Sequence, residues 1–205
     1  MKKDGSYLDL LTRLNICTWH TNIALENNEE LQKTIDRMER NTHYGFSDPE
    51  EVKEIKEASK KGFIKQYTNQ TLSSYIVMAH SAIESNVVDI CRYLLKRDKI
   101  DLDIRSINGS PIKKLEVVVR LCKTKQISKE AKQFFEDLNN VRNIIVHSNG
   151  EIRSENELDT IKKIISRNPI FEENRKHIEF DKGKYFEYAK NIRKYLEEIM
   201  NLDEE

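Results

Sequence analysis

The sequence predicts an all-α fold, an up-and-down helical bundle with an extra N-terminal helical segment and room for a minor two-stranded β piece. Three observations carry that expectation. Apolar residues recur at spacings of three, four and seven along most of the chain, the signature of amphipathic helices. Charged residues fill 34% of the 205 positions and apolar ones 38%, while six glycines and three prolines are too few to punctuate a strand-rich fold. Helix start and stop residues stand at the edges of several of the periodic stretches.

Leu10, Leu14, Cys17, Ala24, Leu31, Ile35 and Met38 predict one long helix or two collinear ones from Tyr7 to about Arg40, with Asn22, Asn27 and Asn28 as the place for a break. Asn41 to Pro49 reads as a loop, with Ser47 or Asp48 as the next cap and Pro49 at the first helical position. Glu50 to Ser59 is mostly charged and reads as a solvated helical turn or two. The strongest helix is expected from about Ile64 to Lys96, where Leu72, Ile76, Ala79, Ile83, Val87, Ile90 and Leu94 sustain a heptad-like stripe. Val77, Val88 and Cys91 form a narrower flank. Among these sit His80 and Glu84, four residues apart and so able to touch as a half-buried structural pair.

Lys99 to Ser110 is expected to be a loop turning at Asn108-Gly109. Ser110 and Pro111 open a helix from Ile112 to about Lys123, with Leu115, Val118, Val119 and Cys122 inward. Ser128 caps the next, Lys129 to about Ser148, although Ser128-Lys129-Glu130-Ala131 lacks the acid that would complete a capping box. Glu151-Ile152-Arg153 reads as a short extended piece. Ser154 starts a helix through Leu158, Ile161, Ile164 and Ile165, stopped at Asn168-Pro169. His177 to Phe180 alternates like a short strand, with the Ile152 piece as its expected partner. Tyr185 to Leu202 is the last helix, its apolar face made of Phe186, Ala189, Ile192, Tyr195, Leu196 and Ile199. The acidic end 203–205 should fray. No Pro/Gly/Ser-rich linker divides the chain, so residues 1–205 are read as one domain, with about 1–60 as an N-terminal extension and about 64–202 as the core.

Bulk chemistry narrows the function. Lys plus Arg and Asp plus Glu are both 35, so no net charge draws the chain to nucleic acid or membrane, and a local basic patch would be needed. Cys17, Cys91 and Cys122 are an odd, scattered set without metal or disulfide spacing, which fits a reducing compartment. The start of the chain lacks a signal-peptide core and no apolar run reaches membrane-spanning length. A soluble cytoplasmic protein without cofactor, metal or membrane partner is the expectation.

One stretch breaks the pattern: Val141-Arg142-Asn143-Ile144-Ile145-Val146-His147-Ser148-Asn149-Gly150. At about 100° per residue, Phe134, Leu138, Val141 and Ile145 share the core face. Asn143 and His147 fall roughly opposite it, with Arg142 to one side. Ser148-Asn149-Gly150 offers a left-handed residue to end the helix. His147 then lies in the last turn, where unpaired carbonyls favour imidazolium while Arg142 opposes it. Such a histidine suits general acid–base work. Arginine can grip a phosphate through two parallel hydrogen bonds, and Asn143 can orient either group. Together they fit metal-free phosphodiester cleavage in RNA, in which the 2′-hydroxyl is the nucleophile. A second histidine would come from a two-fold dimer. A polar helix face with a lone histidine is the plainer explanation of the same residues.

Arg142-Asn143-Ile144-Ile145-Val146-His147 resembles the Arg–polar–x–x–x–His signature of the HEPN superfamily (higher eukaryotes and prokaryotes nucleotide-binding domain). The helix bearing Glu84 is similar to the family's other main core helix, and the resemblance spans about Leu72 to Leu196. It implies a helical bundle that dimerises with two motifs facing across a cleft. It further implies a metal-independent endoribonuclease of toxin–antitoxin, abortive-infection or other anti-phage systems. By that resemblance Arg142 would bind the scissile phosphate, His147 would be the acid or base, and Asn143 would position them. Glu84 would support them, with His80 beside it as its partner one turn away. An antitoxin or other defence protein is an implied partner. Family members without activity serve as binding modules, so a non-catalytic HEPN-like module is the alternative. Lys96-Arg97, Lys113-Lys114, Lys123, Lys125, Arg153 and Lys162-Lys163 could line a cleft for RNA, and Tyr67, Tyr75 and Tyr93 could stack bases.

Overall fold

The structure, a computed structural model, describes residues 5–26, 31, 33–37 and 49–202. The expected loop 41–48 with its Ser47 or Asp48 cap, the break at Asn27 and Asn28, Met38, the side chain of Leu10 and the acidic end 203–205 lie outside the described residues. What is described is mostly helical with one small sheet.

Helix α1, Gly5–Glu26, buries Leu14, Thr21 and Leu25. Residues 33–37 are helical again, with Ile35 buried. Helix α2, Pro49–Arg97, runs unbroken for 49 residues, about 74 Å at the usual helical rise. The expected separate turns over Glu50 to Ser59 are therefore its first quarter. A charged stretch without an apolar stripe still propagates a helix when no breaker interrupts it. Gly62 does not: a Cβ built there would meet nothing within 4 Å. Glu50 and Glu51 in the first turn and Lys96 and Arg97 in the last complement the helix dipole.

The stripe Leu72, Ile76, Ala79, Ile83, Val87, Ile90 and Leu94 is buried throughout. Against α2 pack α1, helix α3 (Pro111–Leu121), helix α4 (Lys129–Ser148) and, at fewer points, helix α6 (Tyr185–Met200). The core is the space between them, filled by Leu115, Val118, Leu138, Val141, Ile192 and Leu196 among others. Ser110 takes the extended N-cap conformation ahead of Pro111, but its hydroxyl makes no cap hydrogen bond. Ser128 does cap α4, accepting from Ala131 N at 3.1 Å. The acid missing from its own sequence comes from α6: Glu198 accepts from Ser128 N at 2.6 Å and from its hydroxyl at 2.9 Å. A complete capping box instead opens helix α5, Glu155–Arg167, between Ser154 and Glu157.

Strands β1 (Phe171–Asn174) and β2 (His177–Phe180) form an antiparallel hairpin, Phe171 opposite Phe180. The principal partner of His177–Phe180 is thus β1, which was not expected. The Ile152 piece joins on the other edge, through a Glu151–His177 bridge and hydrogen bonds from Ile152 N to Lys176 O and from Ile178 N to Gly150 O. In α6 the buried face holds Tyr185, Tyr188, Ile192, Leu196, Ile199 and Met200, whereas Phe186, expected inside, is 54% exposed. Tyr185 turns its ring edge-on to Tyr75 and donates its hydroxyl hydrogen bond to Thr18 O at 3.0 Å. Lys182 Nζ donates to Leu25 O at 2.6 Å, so α1 is held to the start of α6 as well as to α2.

Candidate active site

Helix α4 carries the motif, and its middle and its far end are fixed by different means. Near its middle, the buried Asp137 accepts from Arg167 Nε and Nη2 at 2.9 and 2.7 Å, from Asn168 Nδ2 at 2.9 Å and from Gln133 Nε2 at 2.9 Å. That clamps α4 to the end of α5. At its far end Asn149 takes the left-handed conformation at φ 51°, and Gly150 follows at φ 81°. The N–H groups of Asn149 and Gly150 both donate to Ile144 O, the latter at 3.1 Å, which satisfies a terminal carbonyl of the helix.

Between these anchors lie the candidate residues. Arg142 is half-buried and donates from Nη1 to Asn143 Oδ1 at 3.0 Å, while its Nε is buried without a hydrogen-bond partner. His147 is exposed in the last turn, and among the described residues no hydrogen bond ties it to Arg142 or Asn143. Five residues at ~100° each put Arg142 and His147 about 140° apart around the helix, whereas Asn143 and His147 lie one turn apart on one face. The structure thus joins Arg142 to Asn143 and leaves His147 beside them, facing outward.

His80 and Glu84 approach from α2. His80 is buried, and its Nδ1 is 3.9 Å from Glu84 Oε2, too far for a hydrogen bond. The bond expected there goes instead from His80 Nε2 to Asn139 Oδ1, 3.1 Å away on α4. Asn139 is a site residue that sequence reasoning missed; its position one turn before Asn143 is the signal that could have found it. Burial pulls the His80 imidazole below its ordinary value, Arg142 adds to that, and Glu84 and Asn139 oppose it. With Asn139 Oδ1 accepting, the neutral ring carries its proton on Nε2 and leaves Nδ1 bare. The cavity beside His80 measures about 10 Å³, too small for a nucleotide. His80 is therefore a positioning residue that sets α4 against α2, and Glu84, largely exposed, flanks it.

On another face of α4, Ile145 and Asn149 border an open groove of about 840 Å³ shared with Gln66, Gln70 and His177. His147, two residues from each of Ile145 and Asn149, turns away from it. Of the tyrosines considered for stacking, Tyr75 is fully buried and unavailable. Arg97 is spent on Asp98 at 2.7 and 3.0 Å. Among the described residues no helix is long and apolar enough to cross a membrane.

No family model matches the chain, and the searches of curated proteins and of solved structures return no match either.

Proposed function

We propose that the protein is a metal-independent endoribonuclease of HEPN type, acting in toxin–antitoxin, abortive-infection or other anti-phage defence in the cytoplasm. One observation carries the reading. A half-buried guanidinium, steadied by Asn143, sits five residues before an exposed histidine at the end of the same helix. A guanidinium fork is suited to a phosphate, which it can hold through two parallel hydrogen bonds. In the reaction His147 removes the proton from the RNA 2′-hydroxyl, whose oxygen attacks phosphorus. The bond to the 5′ oxygen breaks, leaving a 2′,3′-cyclic phosphate and a 5′-hydroxyl that takes a proton from an acid. Arg142 stabilises charge on the phosphorane. Each chain offers one such histidine, so a two-fold dimer that brings both motifs together supplies base and acid. The outward aim of His147 suits that arrangement.

The test is cleavage of a mixed RNA substrate by the purified chain in EDTA. His147→Ala and Arg142→Ala should each lower the rate by about a hundredfold or more, with the far-ultraviolet circular dichroism unchanged. Intact RNA with the wild-type chain sinks the proposal. The separation of Arg142 from His147 around α4 favours a second reading, a non-catalytic HEPN-like module that binds a partner. Growth arrest on expression in a bacterial host that persists with His147→Ala would select it.

A further inference from the structure

A second concavity lies at the other end of the bundle from the motif. Arg92, on its wall, is twelve residues beyond His80 along α2, about 18 Å at ~1.5 Å per residue. Its volume is about 430 Å³, within the range of small-molecule sites. The lining is mixed, its apolar part formed by Leu95 from α2 and by Ile100 and Ile104 from the following loop. Three cations stand around it from three separate elements: Lys96 in the last turn of α2, Arg105 in the 3-10 turn Ile104–Ser106, and Lys114 in the first turns of α3. None of the three forms an ion pair among the described residues. Arg92 also lines the cavity but is held by Asp89 at 3.0 Å.

Two carboxylates share the rim, Asp101 and Asp103. Asp103 is committed to capping the 3-10 turn, where it accepts from Arg105 N at 2.9 Å. The balance of charge is still positive. Lys114 is half-buried, which holds its stem against the protein and its ammonium toward the cavity it lines. Cations laid along a surface track would suit a nucleic-acid backbone. Cations gathered at the mouth of a partly apolar hollow suit a single phosphate joined to a flat group with polar edges.

We propose that this cavity binds a small phosphorylated molecule of nucleoside monophosphate size. The phosphate lies among Lys96, Arg105 and Lys114, the apolar portion lies over Leu95, Ile100 and Ile104, and Asp101 accepts from a ligand hydroxyl. This site is separate from the motif and does not depend on RNA cleavage.

The experiment is isothermal titration calorimetry of the full chain with adenosine 5′-monophosphate as the probe. Adenosine, inorganic phosphate and a ribonucleotide hexamer without terminal phosphate are the other arms. The monophosphate should saturate one site per chain and bind at least about tenfold more tightly than adenosine or inorganic phosphate alone. Lys114→Gln and Arg105→Gln should each weaken it by about tenfold. Absence of saturable heat with millimolar monophosphate overturns the proposal. Equal affinity in both variants overturns it too, as does monophosphate binding that Arg142→Ala abolishes and Lys114→Gln spares. A hexamer that binds in place of the monophosphate and weakens with Lys114→Gln assigns the cavity to RNA backbone and also overturns it.

Discussion

Replacing Asp137 by alanine tests how α4 is held. The side chain of Asp137 is 2% exposed and accepts four hydrogen bonds, two from Arg167 and one each from Asn168 and Gln133. Removing one partner of a buried ion pair costs about 3–5 kcal/mol when the other is left stranded. Here the stranding is partial. Arg167 is 41% exposed and can return to water, whereas Asn168 is buried and its amide loses its best acceptor. The low end of the range, about 3 kcal/mol, is the expected loss for Asp137→Ala. For a chain of this size that lowers Tm by roughly 6–12 °C. Urea titration followed by circular dichroism measures it, with the slope m unchanged if only the clamp is lost. A double-mutant cycle with Arg167→Ala should return a coupling above about 1 kcal/mol. A loss under about 1 kcal/mol for Asp137→Ala would show that the clamp is replaceable by solvent and refute this account of how α4 is anchored.

Two further predictions concern buried polar atoms. Tyr188 is buried with its hydroxyl unpartnered, and burial drives that phenol well above its ordinary value. Tyr188→Phe removes an unsatisfied group and keeps the ring against Phe134 and Phe171, so stability should rise by about 1 kcal/mol, and a fall in Tm would contradict it. His80 is held below its ordinary value of 6.5, chiefly by burial. The unfolded chain then binds the proton more readily than the folded one, so stability is complete above pH 6.5 and declines as pH falls below it. Urea titrations at neutral and mildly acidic pH should show a smaller acid loss for His80→Gln than for wild type. Identical losses would mean that His80 is not buried neutral.

Several local rules in the sequence hold in the structure, although Asn22 does not break α1 and the Ser110 hydroxyl caps nothing. Pro49, Pro111, Ser128 and Ser154 open helices, and Asn149-Gly150 closes α4 in the left-handed region. What escaped depends on partners far away in the chain. Glu198 completes the cap of Ser128 from α6, and no window around Ser128 contains it. Strand β1 has one buried residue, Phe171, so it shows no alternation. Its turn is made by Arg175 and Lys176 at φ 50° and 65°, a conformation ordinarily signalled by Asn or Gly. Phe186 and Tyr185 differ by one position on a helix whose apolar arc is wide enough for either to be drawn inward; the contact with Tyr75 and Thr18 selects Tyr185. The motif residues were legible as a cluster. That Asn139 would receive His80 required the positions of two helices, and the bond from Arg142 to Asn143 required a side-chain rotamer that no spacing specifies.

The hydrogen bond from Tyr185 to Thr18 joins residues 167 positions apart. Pairings of neighbours in the chain, such as α2 with α3 and the β hairpin, close short loops and can form early. The Thr18–Tyr185 and Leu25–Lys182 links close nearly the whole chain, and their loop entropy must be met by structure already assembled. Docking of α1 on the start of α6 is thus expected to be the last event of folding. It is also the first to reverse: in native-state hydrogen exchange the amides of α1 should open at a lower free energy than those of α2 and α4, in a unit of their own.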